Sequence, residues 1–206
     1  MCGRFILRSD LSTIKETFDV EDISTSVPQR EDFVPGQDLA AVIQDGGRRL
    51  VRLHWGLIPF WAKDRSIARR LFNARAETVA EKPSFRDAFK KRRCLIPVDG
   101  FYEWQKTDKG KIPFLFCLKS GRPFGLAGLF EMWVSPANET VHSCAIITTE
   151  ANRLIEPIHD RMPVIIPKDK EDNWLDPTCR EQSWLRSMLT SYPADEMNKM
   201  DVSVPK

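Results

Sequence analysis

The chain has 206 residues, of which 42% are hydrophobic and 29% charged, and its formal net charge is +2. This composition is typical of a soluble globular protein with one sizeable core, and the sequence contains neither an apolar run of about 18 residues nor a secretory signal. The five cysteines are widely spaced without a C-x-x-C pair, which argues against a disulfide framework or a zinc site. We therefore expect a monomeric cytoplasmic protein that has no membrane segment and needs no metal or other cofactor.

The first half of the chain predicts a short helix, a hairpin and a helical stretch. Ser9 or Asp10 is positioned to cap the helix. Residues 39–44 and 48–55 read as strands, and the Asp-Gly-Gly sequence between them favours a hairpin turn. Alanine and charged residues at 67–89 indicate one or two helical pieces, interrupted by a proline.

The second half predicts mainly strands. Apolar and β-branched runs place them at residues 94–98, 101–105, 114–118, 124–133, 141–149 and 164–166. Tryptophan and leucine have helical spacing at 168–189, whereas the chain after Tyr192 turns polar and shows no closing element. These elements predict one α+β domain over residues 1–206, with a strand-rich, mostly antiparallel, barrel-like core and peripheral helices.

The positive charge is concentrated in one segment. Residues 65–93 contain ten Lys or Arg against three Asp or Glu, a local net charge of +7. Clustered cations beside aromatic residues are typical of a protein that binds a phosphate backbone. A solvated basic helix face would give the same pattern.

Cys2 is the most informative single residue, because removal of Met1 would make it the N-terminus. It would then carry a thiol and a free α-amine on adjacent carbons, with ordinary pKa values of about 8.5 and about 8. Such an aminothiol condenses with an aldehyde to an imine, and its sulfur then closes a thiazolidine ring. The alternative is a buried cysteine without chemistry.

Three further segments carry polar side chains that a protein core does not need. Asn73 and Arg75 place an amide and a guanidinium two residues apart, and Glu103 lies between two aromatic residues. Burial there would raise the pKa of Glu103 towards the range useful for proton transfer, although a solvent-facing side chain is the alternative. His159, which precedes an acid and an arginine, is the best titrating candidate of the three histidines, unless it only caps or links the core.

The segment WGLIPFW at residues 55–61 is too aromatic for a plain exposed loop. It fits either a core segment or a wedge that stacks on bases.

Taken together, these motifs resemble the SOS response-associated peptidase (SRAP) family, whose members process abasic sites in single-stranded DNA. The similarity is carried, in order, by MCGRF at 1–5, WGLIPFW at 55–61, NARAET at 73–78, RRCLIPVDGFYEW at 92–104, AIITTEAN at 145–152 and HDRMPVI at 159–165. The ordered set spans about four-fifths of the chain.

The resemblance implies a role for each matching residue. It implies that Cys2 forms the thiazolidine crosslink with the aldehyde, that Asn73 holds its amine, and that Glu103 and His159 move protons during ring opening and reversal. The resemblance also implies that DNA phosphates are bound by Arg4, Arg75 and Arg161. It implies that Phe60 and Trp61 contact the DNA with their rings, and that Thr148 supports the site. The implied partner is single-stranded DNA with abasic sites, so the protein would associate with the nucleoid when bound. Lyase-like Schiff-base chemistry and self-removal of Met1 are further implications.

The sequence departs from the family pattern in two places. Asp32 stands where the family usually has asparagine, so a carboxylate there is expected to weaken phosphate binding. The family's C-terminal segment is missing or cut after residues 202–205, so we expect that the natural chain extends further.

Two other functions fit the same residues. One is an N-terminal-nucleophile peptidase or amidohydrolase that uses Cys2 with His159 as base. The other is a non-catalytic DNA reader that uses only the basic segment and the aromatic residues.

Overall fold

The structure, a computed structural model, describes residues 2–24, 28 and 32–202. The strands are β1 (Phe5–Ile6), β2 (Asp22–Ile23), β3 (Asp32–Phe33), β4 (Asp38–Gln44), β5 (Arg48–Trp55), β6 (Asn73–Arg75), β7 (Arg93–Val98), β8 (Gly100–Thr107), β9 (Gly110–Leu118), β10 (Phe124–Val134), β11 (Thr140–Glu150), β12 (Arg161–Pro163), β13 (Ile165–Ile166) and β14 (Met197–Asp201). The helices are α1 (Leu11–Thr17), α2 (Arg86–Lys91), α3 (Glu171–Leu175) and α4 (Gln182–Ser187), with 3-10 turns at Arg65–Arg70, Lys168–Lys170 and Ala194–Glu196.

Five strands close into a barrel. β11 pairs with β10, β10 with β7, β7 with β4 and β4 with β5, all antiparallel, and β5 returns to β11 in parallel. A second sheet has the order β14-β9-β8-β1-β3. The predicted strand-rich, mostly antiparallel, barrel-like α+β fold is confirmed.

Alternate residues of β7 enter two separate apolar clusters, and every residue of this strand is buried. Leu95 packs in the cluster that contains Phe89 and Trp174 from the helical segments. Cys94 and Ile96 belong to the other cluster, which joins the barrel to the second sheet. The side-chain period of two thus lets one strand support both halves of the core.

Most predicted elements lie close to their predicted positions. Asp10 caps α1 by accepting a hydrogen bond from the Thr13 amide at 2.8 Å, and β4 and β5 form the predicted hairpin. The predicted helical stretch at 67–89 contains two helical pieces on either side of its proline, the 3-10 turn Arg65–Arg70 and α2, but β6 was not predicted between them.

The predicted absence of a closing element after Tyr192 was wrong. β14 pairs with β9, with Met197 opposite Leu118. Met197 is the only buried residue of β14, so the strand has no apolar alternation that a sequence pattern could reveal. Its backbone hydrogen bonds to the edge of the second sheet define it instead. Residues 203–206, where we expect the family's C-terminal segment to be cut, lie outside the described residues.

Arg93 holds the C-terminal segment against the barrel. Its Nε donates to the Trp174 carbonyl at 2.7 Å, Nη1 to the Phe89 carbonyl at 2.8 Å and Nη2 to the Cys179 carbonyl at 3.0 Å. The side chain is buried. The guanidinium therefore supplies donors to carbonyls near the C-terminal ends of α2 and α3 and in the segment after α3, which have no partner further along the helix.

We expect Arg93→Met to lower the free energy of unfolding by about 3 kcal/mol or more, because several buried carbonyls lose their donor at once. Urea denaturation measures this change. Arg49→Met is the control, since Arg49 makes exposed ion pairs with Asp22 and Asp45 and should lose about 1 kcal/mol or less. Equal losses in the two variants would contradict a structural role for Arg93.

Candidate functional site

Cys2 is fully buried just before β1. β1 lies between β3 and β8, with Phe5 opposite both Phe33 and Phe101. The Phe5 ring stacks on Phe33 at 4.9 Å and contacts Trp55 of the barrel at 5.1 Å. These contacts fix β1 within the second sheet and against the barrel, and with it the position of Cys2.

Glu103 lies on β8 beside this N-terminal segment. The antiparallel register that pairs Phe5 with Phe101 places Glu103 opposite Gly3 when it is continued by two residues. Glu103 is only 2% exposed, and this burial raises its pKa to about 7. The carboxyl group is therefore close to half-ionised at neutral pH, as a proton donor and acceptor should be.

The Cys2 thiol has the opposite character. Burial raises its pKa far above the ordinary value, and the negative charge of Glu103 raises it further. A thiolate is consequently disfavoured at this position.

Asn73 makes a direct contact with Cys2. It lies on β6, which runs parallel to β11 with Asn73 opposite Ile146. Its Nδ2 donates to the Cys2 carbonyl at 2.7 Å. Its Oδ1 is buried and has no hydrogen-bond partner within the described ranges, so it can accept a hydrogen bond from a nearby amine.

His159 lies in the loop between β11 and β12. The Ile155 carbonyl accepts a hydrogen bond from the His159 amide at 3.0 Å, and Gln105 of β8 donates to the Pro157 carbonyl at 3.2 Å. These bonds hold the loop against the strand that carries Glu103. The same loop carries Asp160. Burial is the main cause of the raised Glu103 pKa, and the negative charge of Asp160 raises this pKa further.

The His159 ring has two polar contacts at Nδ1. Burial lowers its pKa, while the Asp160 carboxylate, 2.9 Å from Nδ1, acts in the opposite direction. The Arg161 amide donates to Nδ1 at 3.0 Å. The two contacts at Nδ1 orient the ring within the loop.

The three arginines of the predicted DNA contacts differ in environment. Arg4 is half-buried and forms an ion pair with Asp32, whereas Arg75 is exposed. Arg161 is buried, and its guanidinium donates to both carboxylate oxygens of Glu77, at 2.7 and 3.0 Å, and to the Thr148 carbonyl at 2.6 Å. Arg75 is thus the most accessible of the three to a phosphate.

Thr148 links the elements around this site. It lies on β11, opposite Arg75 of β6 and Pro163 of β12. Its hydroxyl is 3.4 Å from the Ala74 carbonyl. Thr148 therefore joins the strand that carries Asn73 to the strand that begins at Arg161.

The aromatic segment at 55–61 divides into two parts. Trp55 is buried in the core, and its indole donates to the Phe72 carbonyl at 2.9 Å. Phe60 and Trp61 are 56% and 48% exposed. The core interpretation therefore holds for Trp55, whereas base stacking by the exposed Phe60 and Trp61 stays a prediction.

The basic segment is not uniformly available to a ligand. Arg93 is buried in the core contacts described above, and Arg92 donates to the Glu131 carboxylate at 2.7 Å.

Arg65, by contrast, lines a groove of about 860 Å³ with His54 and His142 on the outer side of β5 and β11. That groove lies away from Cys2, and its polar lining is no part of the site described above.

A sequence model of the family described as SOS response associated peptidase (SRAP) matches residues 1–205. The chain belongs to the SRAP family.

Named relatives and solved structures agree with this SRAP membership. The abasic site processing protein YoqW of Bacillus subtilis (strain 168) is 45% identical over 210 residues, which cover 98% of this chain and 92% of the relative. The abasic site processing protein HMCES of Mus musculus is 32% identical over 187 residues, or 76% of this chain and 52% of that protein. A crystal structure of a protein from Bacteroides thetaiotaomicron superposes with a TM-score of 0.91 at 25% identity, covering 98% of this chain and 92% of the other.

Three polar residues of this SRAP chain take part in the site through contacts that the sequence did not predict. Glu77 binds Arg161, and Asp32 binds Arg4. Asn152 is buried and accepts hydrogen bonds from the Leu154 and Ile155 amides at 3.1 and 3.2 Å, which orders the loop that carries His159. The first two are ion pairs between residues distant in sequence. The last is an Asx-type turn, which an asparagine at the end of a strand does suggest.

The described part of the chain contains no helix that is both long enough and apolar enough to span a bilayer.

Proposed function

We propose that this protein processes abasic sites in single-stranded DNA by capturing their aldehyde covalently at Cys2, once Met1 has been removed. The observation that carries the proposal is the position of Cys2, whose carbonyl is bound by Asn73 and which immediately precedes the residue opposite Glu103 in the strand register. The names of the SRAP relatives, which describe abasic site processing, support the same substrate. Met1 itself lies outside the described residues.

The first step is opening of the sugar. An abasic deoxyribose is mostly a closed hemiacetal, so a base must take the proton of the anomeric hydroxyl while an acid protonates the ring oxygen. We assign these two proton transfers to Glu103, whose pKa of about 7 lets it give or take a proton near neutral pH, and to His159. The product is the open-chain aldehyde.

The second step forms the crosslink. The α-amine of Cys2 attacks the aldehyde carbon, and loss of one water gives an imine. The Cys2 sulfur then bonds to the imine carbon, its proton passes by way of Glu103 to the nitrogen, and a thiazolidine results. One water is released overall, and no oxidant or metal is consumed.

Ring closure decides the fate of the DNA strand. From the imine, loss of a proton next to the carbon and departure of the phosphate would cleave the strand, which is a lyase outcome. Attack by the neighbouring sulfur removes the imine before this elimination. The proposed product is therefore an intact strand, shielded by the attached protein.

Several side chains are placed to bind the DNA around the lesion. Arg75 is exposed on β6 next to Asn73, and Phe60 and Trp61 present apolar rings to solvent. Arginines bind phosphates without reading sequence, and rings stack on any base. We propose salt-sensitive, sequence-independent binding of a single strand by a monomer, in the cytoplasm and on the nucleoid.

The test is the intact mass of the purified chain before and after incubation with single-stranded DNA that contains one abasic site. We expect a denaturation-resistant adduct whose mass equals the chain without Met1 plus the DNA minus one water. Matched DNA without the abasic site should give no adduct. An adduct of the same size on protein that retains Met1 would rule out the α-amine, and no adduct on processed protein would overturn the proposal.

The peptidase alternative is disfavoured by the thiol. A cysteine nucleophile works as a thiolate, and burial raises the pKa of Cys2. Aldehyde capture begins at the amine and does not require the thiolate. A non-catalytic DNA reader would be indicated if Cys2→Ala retained every activity.

A further inference from the structure

Arg4, two residues after Cys2, forms an ion pair with Asp32. Arg4 Nε lies 2.9 Å from Asp32 Oδ1 and 2.9 Å from Oδ2, and Nη2 also contacts Oδ2. The Arg4 guanidinium lies over the Tyr102 ring, 5.8 Å from its centre. The carboxylate thus holds the side of the guanidinium that contains Nε and Nη2.

That side of a guanidinium is also one that grips a phosphate with two parallel hydrogen bonds. A carboxylate and a phosphodiester cannot hold it together without placing two negative charges in contact. We propose that Asp32 is an internal competitor of the DNA phosphate for Arg4 and thereby lowers the affinity for DNA. This inference rests on the proposed function, in which Arg4 contacts a phosphate beside the lesion.

The surroundings of Asp32 allow such an exchange. Its side chain is 35% exposed, and that of Arg4 is 19% exposed. Asp32 lies on β3, the two-residue strand at the edge of the second sheet, opposite Ile6. Rotation of its side chain towards solvent therefore leaves the backbone pairing with β1 in place.

Arg161 provides an instructive contrast. Its guanidinium is also held by a carboxylate, that of Glu77, but it donates to the buried Thr148 carbonyl as well. Withdrawing this side chain would leave that carbonyl without the bond. The Arg161 pair is therefore tied to a buried backbone carbonyl, and its guanidinium side chain is less exposed than that of Arg4, at 9% against 19%.

The experiment measures non-covalent binding by fluorescence anisotropy. The probe is a labelled single strand with one tetrahydrofuran residue, an abasic analogue that has no aldehyde. Asp32→Asn keeps an acceptor for Arg4 and removes the charge, so we expect roughly threefold to tenfold tighter binding at low salt. The gain should shrink as salt is added, because the repulsion it relieves is screened.

Two controls assign the effect to this pair. Asp38→Asn removes a carboxylate of similar exposure that binds Arg52 at 2.7 Å on the hairpin, and it should leave the affinity unchanged. In an Arg4→Met background, Asp32→Asn should lose most of its effect. Equal or weaker binding by Asp32→Asn, confirmed with folded Asp32→Ser, would overturn the proposal.

The result can be separated from the proposed function. If processed protein fails to crosslink DNA with an authentic abasic site but Asp32→Asn still binds the analogue more tightly, aldehyde capture is wrong and the competition stands. If crosslinking occurs and Asp32→Asn binds no more tightly, the competition is wrong and the capture stands.

Discussion

Cys2→Ala should abolish the denaturation-resistant adduct with abasic DNA, by more than about 10³-fold in yield, because ring closure depends on a thiol held next to the imine at a very high effective concentration. The α-amine remains in this variant, so the imine can still form. Adding cyanoborohydride, which reduces an imine to a stable amine, should therefore restore a covalent product. Denaturing gels with and without the reductant measure both outcomes.

Cys94→Ala is the matched control, since Cys94 is as fully buried as Cys2 and lies in the same apolar cluster. Both substitutions remove a buried sulfur, so a loss of crosslinking caused by poor packing would affect both. We expect Cys94→Ala to crosslink normally if it remains folded. Adduct formation by Cys2→Ala without a reductant would show that the sulfur has no part in the product.

Glu103→Gln should slow capture by about 10² to 10⁴, the range for removal of a general acid or base. It should also stabilise the protein at alkaline pH. Burial raises the Glu103 pKa from 4.5 to about 7, so the folded state holds a proton that the unfolded state releases. The stability from this proton is complete below about pH 4.5 and is lost as the pH rises through about 7.

Glutamine cannot ionise, so the variant avoids this loss. Relative to the wild type, its free energy of unfolding should rise by roughly 2 to 4 kcal/mol between pH 4.5 and pH 8. Urea denaturation at the two pH values, with capture rates measured on the same samples, tests both effects. If Glu103→Gln captures DNA slowly but its free energy of unfolding at pH 8 does not exceed that of the wild type, the raised Glu103 pKa is contradicted.

Glu131→Gln is the comparison for this experiment. Glu131 is also a buried carboxylate, but it accepts a hydrogen bond from Arg92 and lies on β10, away from Cys2. Its replacement should weaken the ion pair and lower the stability, while the capture rate stays unchanged. The two glutamates are thus expected to have opposite effects on stability and different effects on rate.

A reactive site is expected to lower the stability of the fold in exchange for reactive side chains. A buried carboxyl group that is ionised half of the time destabilises the fold at neutral pH, and the same burial makes it useful for proton transfer. Asn73 shows a related compromise, with an amide oxygen buried without a partner among the described residues. Both features concentrate around Cys2.

Local patterns predicted much of the barrel. Alternation and the Asp-Gly-Gly turn predicted the hairpin of β4 and β5, and the apolar runs predicted most later strands. The C-terminal helical spacing was correct in kind, yet the chain forms two short helices, since Pro177 follows α3. β14 could not be predicted, because the edge of a folded sheet defines it.

The sequence by itself determined the reactive residue types and their order. Cys2, Asn73, Glu103 and His159 were selected from motifs, and the structure brings Asn73 into contact with Cys2 and places Glu103 opposite the residue that follows it. Their roles in catalysis stay predictions. The motifs identify these residues because each motif is a short stretch that can be read without knowing the fold.

Only the tertiary structure decided the electrostatic partners. Asp32 lies 28 residues from Arg4, and Glu77 lies 84 residues from Arg161, yet each pair forms hydrogen-bonded contacts. Burial, which sets the pKa of Glu103, is likewise a property of the assembled sheets. Contacts between strands far apart in sequence depend on how the strands pair, and local propensity carries no information about them.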